Sequence, residues 1–441
     1  MIQDGTISLC LIVKNEGQCL ARCLESFKAV VNEICILDTG STDKTVEIAK
    51  SFGAKIEFFE WNDDFSEARN RNLEMATMAW IMVADADEYL RQKDIPTLKQ
   101  ALKLRQYDGF LIKTLNFNQE GSKQYIVNLN QRIFKNNKNF YYQGRIHEQV
   151  VCIDPAKKAE GFIAIDVGFY HTGYLRSERE EKRKNQRNLM ILDKSIEEEP
   201  ETMFSLFNLA NELSNDPNKH QEALNLYHRA YAYRDFGAGF MPKLMMFRLL
   251  AMIREQLWDE ALEAIGDGLS AYPDFTDLVY QRGIVEKKKG LVLKAIASFE
   301  KCLKMGKPRA ALEFSKLSYG YGAHFHLAEI YKQQEEFAKA FAHYQQCLRL
   351  EKSKYELLYP MLDCLVGLED DRKKVAEVIK RFFNMEDDLN RVVYTNLLLE
   401  KEFYQEADDF LLENNVWESE NMRQELRGKA LAGLVVLNSK S

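Results

Sequence analysis

The first sixty residues alternate between strand-like and helix-like segments, and this alternation restricts the fold more than any other feature of the chain. Three apolar runs rich in β-formers, TISLCLIV, EICIL and AKIEFFEW, are separated by two segments with helical character, NEGQCLARCLESF and STDKTVEIAKSFG. In the first of these, Leu20, Leu24 and Phe27 recur at helical spacing, and the second closes with a glycine. Strand, helix, strand, helix, strand predicts a parallel sheet with right-handed crossovers.

The segments that follow the strands are the candidates for a functional site. Open parallel sheets bind ligands beyond the carboxyl ends of their strands. Here these segments are KNEG, DTGSTD, NDDFSEARN and DADE, and all four are polar. We therefore expect the functional groups of this domain to lie in them.

Past residue 175 the strand-like runs give way to helices. A charge-dense stretch, LRSEREEKRKNQRNLMILDKSIEEEP, is followed by paired amphipathic segments. Ala261 and Ala295 lie 34 positions apart, and each precedes an apolar residue, Ile265 or Phe299, by four positions, which is typical of tetratricopeptide repeats. Looser units centre on two further alanines, Ala223 and Ala340.

These features predict an α/β domain with a Rossmann-like, mostly parallel sheet, followed by an all-α tetratricopeptide-like solenoid. The predicted boundaries are residues 1–175 for the α/β domain, 176–200 for a charged helical connector and 201–441 for the repeats. Stacked helix pairs of this kind form a curved surface whose concave side usually binds something extended.

Composition excludes several classes of protein. With 441 residues, 46% of them apolar and 29% charged, the chain is neither disordered nor fibrous. The N-terminus lacks the pattern of a signal peptide, and no apolar run approaches the roughly 20 residues of a membrane helix. Eight scattered cysteines fit buried thiols better than a disulfide or zinc framework, and a net charge of −7 without a basic run argues against nucleic-acid binding. We expect a cytoplasmic protein.

The run WIMVADADEYL places three acids directly after an apolar strand. If the segment is extended, Asp85 and Asp87 face one side and Ala86 the other. Two carboxylates at a strand end are typical of a site for a hard divalent cation that also binds phosphate oxygens. The alternative is a solvated acidic loop, so the neighbouring motifs have to decide.

The turn DTGSTD supplies such a motif. A β-to-α turn needs the glycine and a capping hydroxyl, but it does not need Asp38 at the strand tip. There a carboxylate can accept hydrogen bonds from a base imide or a ribose, and we favour that role over a purely structural one. Arg69, in EARN, is a planar donor suited to a pyrimidine or a phosphate, although a surface salt bridge would use the same residue.

Two histidines precede the repeats, His147 in GRIHEQV and His171 in FYHTGY. Imidazole is a common metal ligand, and the adjacent Glu148 could act as a general base. A lone histidine in strand-like sequence is more often a core residue, so these two gain interest only because Asp85 and Asp87 need partners.

The ordered motifs SLCLIVKNEG, EICILDTGSTDKTVEIA, NDDFSEARN and WIMVADADEYL resemble the family 2 glycosyltransferases of the GT-A fold. The resemblance covers roughly residues 5 to 175, and four motifs in order are more specific than any one. The later run GRIHEQV…FYHTGYLRSEREEKRKNQRNL, followed by repeats, resembles the subgroup that contains the glycocin (sublancin-type) peptide S-glycosyltransferases.

The resemblance implies an inverting enzyme with a UDP-sugar donor and Mg²⁺ or Mn²⁺. It implies a metal site made by Asp87 and His171 and a base at Glu148, with His147 as the alternative. Many family members carry an Asp-acid pair where this chain has His147-Glu148, so the identity of the base stays open. The residues that it implies for nucleotide-sugar binding are Asn15, Asp38, Asp43, Arg69 and Asp85.

For the acceptor we expect a peptide side chain, cysteine or serine, of a bacteriocin-like peptide held by the repeats. The alternatives are a transferase that acts on a surface polysaccharide or flagellin, and a repeat scaffold whose transferase domain has lost activity. All the acidic residues named above as site candidates are present, which argues against a scaffold without activity. The donor sugar, the attacking atom and the oligomeric state, monomer or homodimer, stay open.

Overall fold

The structure is a computed structural model that describes residues 5–117, 125–136, 140–153, 161–171, 186–192, 194–195, 201–309, 312–351, 354–414, 417 and 419–440. The chain forms two compact units, Met1–Tyr233 and Arg234–Ser441. The predicted boundary at residue 175 lies outside the described residues. Of the predicted connector, residues 186–192 and 194–195 are described, and they are helical.

The first unit begins with the alternating elements that the sequence predicts. Four parallel strands are β1 (Ile7–Val13), β2 (Glu33–Asp38), β3 (Lys55–Phe58) and β4 (Trp80–Val83). The helices that connect them are α1 (Leu20–Phe27), α2 (Thr45–Ser51) and α3 (Phe65–Glu74). Because β1 lies between β2 and β4, the loops after all three strands meet at one edge of the sheet.

Antiparallel strands then extend the sheet on the β4 side. The later elements are β5 (Glu88–Leu90), α4 (Ile95–Ala101), β6 (Gly109–Phe117), β7 (Tyr125–Lys135), β8 (Phe140–Gln143), β9 (Gln149–Cys152) and β10 (Phe162–His171). Among the described residues the sheet has eight strands in the order β3-β2-β1-β4-β7-β6-β10-β5, and β7 runs antiparallel to both β4 and β6. A separate hairpin pairs β8 with β9.

The sheet has an apolar core on both faces. In β1, Leu9 and Cys10 point to opposite faces and both are fully buried, so the strand reads as a continuous apolar run rather than an alternating one. One core contains α1 residues such as Leu24, and the other contains Ala68 of α3. Helices on both faces leave the strand ends as the open edge of the unit.

Helices α5 (Met203–Leu213) and α6 (His220–Ala232) complete the first unit. The second unit has helical repeats. Its helices are α7 (Met241–Arg254), α8 (Trp258–Ala271), α9 (Thr276–Lys288), α10 (Val292–Met305), α11 (Tyr321–Gln333), α12 (Phe337–Leu350), α13 (Leu358–Val366), α14 (Arg372–Lys380), α15 (Asp388–Glu400), α16 (Tyr404–Glu413) and α17 (Glu420–Lys440).

The positions that predict the repeats are core positions. Ala261, Ala295 and Ala340 are all fully buried, as are the residues four positions after them, Ile265, Phe299 and Tyr344. Small residues at these positions allow neighbouring helices to approach closely. The prediction of a tetratricopeptide-like solenoid is therefore confirmed.

The same turn recurs within four helix pairs in the described part of the second unit. A residue with positive φ stands two positions before the second helix, and the next residue donates its backbone N–H to the carbonyl five positions earlier at 2.8–2.9 Å. This is a Schellman turn, which favours a left-handed residue. The left-handed residues are Gln256 (φ 59°), Gly290 (φ 74°), Glu335 (φ 60°) and Glu402 (φ 61°).

None of the helices in the described ranges combines the length and the apolar character needed to cross a lipid bilayer.

Candidate functional site

The loops after β1 and β2 are tied together by side chains at the open edge of the sheet. Asn15 adopts a left-handed backbone conformation (φ 58°), donates its N–H to Ser41 Oγ at 2.9 Å and accepts the N–H of Thr42 at 2.7 Å. Asp43 accepts N–H bonds from Gly17 and Thr45, both at 2.9 Å. Asn15 and Asp43 therefore bind the two loops to each other.

Asp43 is exposed, and hydrogen bonds from Thr45 lower its pKa. Its carboxylate is occupied by these loop contacts, so its predicted role in nucleotide-sugar binding would have to be added to a structural one. That role stays a prediction.

Asp38 ends β2, as the sequence predicts, and is 1% exposed. One carboxylate oxygen, Oδ1, accepts the N–H groups of Gly40 at 3.0 Å and Ser41 at 2.9 Å. The other, Oδ2, is buried and has no hydrogen-bond partner among the described residues. A buried carboxylate oxygen without a donor is costly, so this atom is a ready acceptor for a ligand at the strand edge.

Asp85 does not lie in an extended segment beside Asp87, as the strand-like run suggests. Residues 86 and 87 form a turn, and the two carboxylates have different partners. Asp85 Oδ1 accepts Arg69 Nη2 at 3.0 Å, and Oδ2 accepts Arg132 Nη2 at 3.1 Å. Burial alone would raise the pKa of Asp85, but the two guanidinium groups outweigh it and hold that pKa well below its usual value.

Arg69 and Arg132 extend this contact into a chain of ion pairs. Arg69 Nε donates to Glu148 Oε1 at 2.5 Å, and Arg132 Nη2 donates to Glu88 Oε1 at 2.7 Å. The order is Glu148, Arg69, Asp85, Arg132, Glu88. These ion pairs thus join Glu148, the predicted base, to the acidic turn formed by residues 85–88. The pair of Arg69 and Glu148 spans 79 positions of the sequence.

Glu88 is the innermost group of the chain, 1% exposed, and burial raises its pKa above the usual value although the neighbouring Arg132 opposes this effect. Its Oε2 atom accepts the backbone N–H of Asp85 at 2.9 Å, and its own N–H donates to the Asp85 carbonyl at 3.0 Å. The turn from residue 85 to residue 88 is therefore closed by both backbone and side chain.

Asp87 lies beside His171, which is the last residue of β10. Asp87 Oδ2 and His171 Nε2 are 3.3 Å apart, and both side chains are largely buried, with 14% and 22% exposed. The pairing of β5 with β10 aligns His171 with Glu88 and so brings the acidic turn to the end of β10. Burial would lower the pKa of His171, but the hydrogen bond with Asp87 and the nearby carboxylates raise it.

His147 and Glu148 lie in the turn between β8 and β9 and point to different partners. His147 has a left-handed backbone (φ 56°), and its Nε2 atom is 3.7 Å from Glu212 Oε1. Glu148 is 13% exposed and pairs with Arg69. The structure connects Glu148, Arg69 and Asp85 through their side chains and places the pair of Asp87 and His171 beside them, whereas His147 contacts the helical part of the unit.

The oxygen and nitrogen donors of Asp87 and His171 can hold a divalent cation. No group of three or more histidine, cysteine or acidic side chains suited to a metal occurs within the described ranges. Such an ion would therefore take its other ligands from water or from an oxygen-rich substrate. A mixed carboxylate and imidazole set fits Mn²⁺ better than Mg²⁺, which prefers oxygen.

Arg132 is the residue that sequence reasoning missed, and the role of Glu88 went unrecognised with it. A signal was present: Arg132 lies in a strand-like run, directly before the buried residues Ile133 and Phe134 and after the polar residues Asn130 and Gln131. A buried arginine needs carboxylate partners, so the pattern indicates an internal ion pair.

The N-terminal part of the chain is similar to known glycosyltransferases. Residues 8–156 match the family model described as Glycosyl transferase family 2. The SPbeta prophage-derived glycosyltransferase SunS of Bacillus subtilis is 28% identical over 286 residues, which are 64% of this chain and 66% of that protein. The chain thus spans just under two thirds of the length of this relative.

Two further similarities are more local or more distant. A TPR repeat-containing protein of Synechococcus elongatus is 40% identical over 144 residues, which are 33% of this chain and 35% of that protein. A solved structure of S. aureus TarS in complex with UDP-GlcNAc is 16% identical, with a TM-score of 0.33 over 66% of this chain and 89% of that chain.

Proposed function

We propose, from the premise that residues 8–156 form a family 2 glycosyl transferase domain, that this chain transfers a hexose from a UDP-sugar to a peptide side chain in a metal-dependent reaction with inversion. The observation that carries the proposal is the pairing of Asp87 with His171 at 3.3 Å, beside the acidic turn that follows β4. Two metal-binding groups far apart in sequence meet at the edge where a parallel sheet binds ligands.

The nucleotide would bind against Asp38. Its buried, unpartnered Oδ2 atom suits the imide N–H of a uracil or a ribose hydroxyl. Asn15 and Asp43 hold the loops that border this atom. Arg69 contacts Asp85 and Glu148 with its Nη2 and Nε atoms, so in this proposal it orients these two carboxylates as well as lining the nucleotide site.

Asp87 and His171 would hold Mn²⁺ or Mg²⁺. When bound, the cation neutralises the charge that develops on the leaving diphosphate. Asp85, fixed by two arginines, would accept a hydrogen bond from the ribose or the sugar, and its depressed pKa keeps it a carboxylate at neutral pH.

Glu148 is the proposed base that accepts the proton of the attacking group, and a single displacement at the sugar inverts its anomeric carbon. The ion pair with Arg69 fixes the position of the Glu148 carboxylate. A thiol needs less help from a base than a hydroxyl does, because its unperturbed pKa is about 8.5. Cysteine is therefore the proposed acceptor, with serine as the alternative. His147 is the alternative base.

The repeats would bind the acceptor peptide in this proposal. The other proposed properties are a cytoplasmic location, which suits eight cysteines that are all free thiols, and catalysis by either a monomer or a homodimer. A transferase that acts on a polysaccharide or flagellin would use the same donor site with a different acceptor.

The test is turnover with defined substrates. The full chain is incubated with Mn²⁺, one of a panel of UDP-sugars and a cysteine-rich peptide, and UDP release and intact peptide mass are measured. We expect UDP release and the mass increase of one hexose, both lost with EDTA and with Asp87→Asn. Asp166→Asn, a matched change at an exposed aspartate earlier in β10, should keep both. Full activity of Asp87→Asn or in EDTA would refute metal dependence.

A further inference from the structure

Arg132 occupies a β-bulge. Between β6 and β7, Phe110 pairs with Ile133 and Leu111 pairs with Gln131, so the residue between them in β7 has no partner in β6. A bulge of this kind changes the direction of a side chain and is often found beside active sites. Here the extra residue is an arginine that reaches two carboxylates of the acidic turn.

The contacts of Arg132 close the turn around Asp87. Its Nη2 atom donates to Asp85 Oδ2 at 3.1 Å and to Glu88 Oε1 at 2.7 Å, the residues two before and one after Asp87. Glu88 in turn accepts the N–H of Asp85. The backbone on both sides of Asp87 is thus fixed by one guanidinium group and one buried carboxylate.

This arrangement is poorly suited to stabilise the fold. The Nε atom of Arg132 is buried and has no hydrogen-bond partner among the described residues. A buried donor without an acceptor destabilises the folded state, and a buried ion pair is often no more stable than apolar residues of similar size. Side chains that break such rules commonly serve a functional site.

We propose that Arg132 and Glu88 are positioning residues that hold the turn from residue 85 to residue 88 so that Asp87 meets His171. This inference rests on the proposed function, because it assigns the purpose of the turn to metal binding. Arg132 acts through the turn and does not itself contact the metal. Lysine in its place would supply the charge, but a compact ammonium cannot match the planar guanidinium between two carboxylates.

The test measures Mn²⁺ binding rather than turnover. In the full chain with UDP, the electron paramagnetic resonance signal of free Mn²⁺ falls as the ion binds. The informative variant is the double change Arg132→Met and Glu88→Leu, which replaces the buried ion pair with apolar side chains of similar size, and its thermal unfolding shows that it is folded. We expect its Mn²⁺ affinity to fall by about 10- to 100-fold, as is typical when groups behind a metal ligand are removed. Arg132→Lys should give an intermediate loss.

A matched control separates this effect from the general loss of an ion pair. Arg427 and Asp408 form a comparable partly buried pair in the second unit, at 2.8 Å. Changing that pair to Met and Leu should leave Mn²⁺ binding unchanged. If the Arg132 and Glu88 double variant is folded and binds Mn²⁺ as tightly as the wild type, the positioning role is refuted. If the wild type itself binds no Mn²⁺ with UDP, the proposed function fails, and this inference fails with it.

Discussion

Replacing Asp38 with asparagine should weaken nucleotide binding without weakening the fold. The change keeps an oxygen that can accept the N–H groups of Gly40 and Ser41, but it converts the unpartnered Oδ2 position into an amide donor. A donor cannot accept the imide proton of uracil. A hydrogen bond to a charged group contributes about 1.5–3 kcal/mol, so UDP affinity should fall by roughly 10- to 150-fold.

The stability of the same variant should change little or increase. Asp38 is a buried carboxylate with one oxygen that has no partner in the described structure, and asparagine removes the charge. Because burying an unpaired polar atom costs about 1–3 kcal/mol, the wild-type side chain destabilises the folded state until a ligand binds. A purely structural aspartate would show the opposite behaviour.

Glu33, at the other end of β2, provides the matched control. It accepts hydrogen bonds from Ser8, Lys55 and Thr77, which outweigh the effect of burial and lower its pKa to about 2. This stabilisation is present above pH 4.5 and is lost as the pH falls toward 2. Glu33→Gln should cost about 2 kcal/mol of unfolding free energy at pH 7, with allowance for the half-exposed Lys55.

For both variants, calorimetric titration with UDP in the presence of Mn²⁺ measures the affinity, and urea unfolding measures the stability. Asp38→Asn should lose affinity and keep stability, and Glu33→Gln should do the reverse. If Asp38→Asn binds UDP like the wild type, or loses as much stability as Glu33→Gln, Asp38 serves only the turn.

Two other perturbations test the base and the repeats. Glu148→Gln should keep UDP and Mn²⁺ affinity but slow transfer by roughly 10²–10⁴-fold. In intact-mass assays a serine peptide should show the full loss, whereas a cysteine peptide should show a smaller loss that recovers toward pH 9. Equal, pH-independent losses for both peptides would make His147 the candidate base. In the repeats, the pKa values of His324 and His326 are lowered to about 4, mainly by burial, with smaller contributions from His343 at His324 and from Lys287 at His326. The unfolded chain therefore takes up more protons below pH 6.5, and stability in urea should fall by about 1–2 kcal/mol per imidazole between pH 7 and pH 5. His326→Phe, which can pack against Phe299, should reduce this loss, and an unchanged pH dependence would contradict the assignment.

The sequence predicted the elements and motifs that depend on local pattern. Asp38 falls at the last position of β2, and the alanines of the repeats lie in the helical core. Both could be predicted because strand ends and helical periodicity are determined by residues close together in the sequence. The family resemblance carries information about distant positions, and the two residues that it implies as metal ligands, Asp87 and His171, lie 3.3 Å apart. Their role as metal ligands stays a prediction.

The rest depends on long-range geometry that local pattern does not encode. The bulge that directs Arg132 inward arises from the register between two strands, and register is a property of the pair rather than of either strand. The ion pair between Arg69 and Glu148 joins positions 79 apart. Local pattern also does not show which distant side chains contact a carboxylate. For this reason the sequence suggested one cation shared by Asp85 and Asp87, whereas two arginines bind Asp85 in the structure.

The recurrent turn of the second unit has a consequence for how such a chain can evolve. Each Schellman turn is defined by one left-handed residue and one backbone hydrogen bond within its own helix pair. Solenoids are held together by contacts between neighbouring repeats, so a whole pair carries its own geometry with it when it is duplicated or deleted. Recombination can therefore lengthen or shorten the helical array in units of one helix pair without changing the residues of the sheet that carry the cluster of arginines and carboxylates.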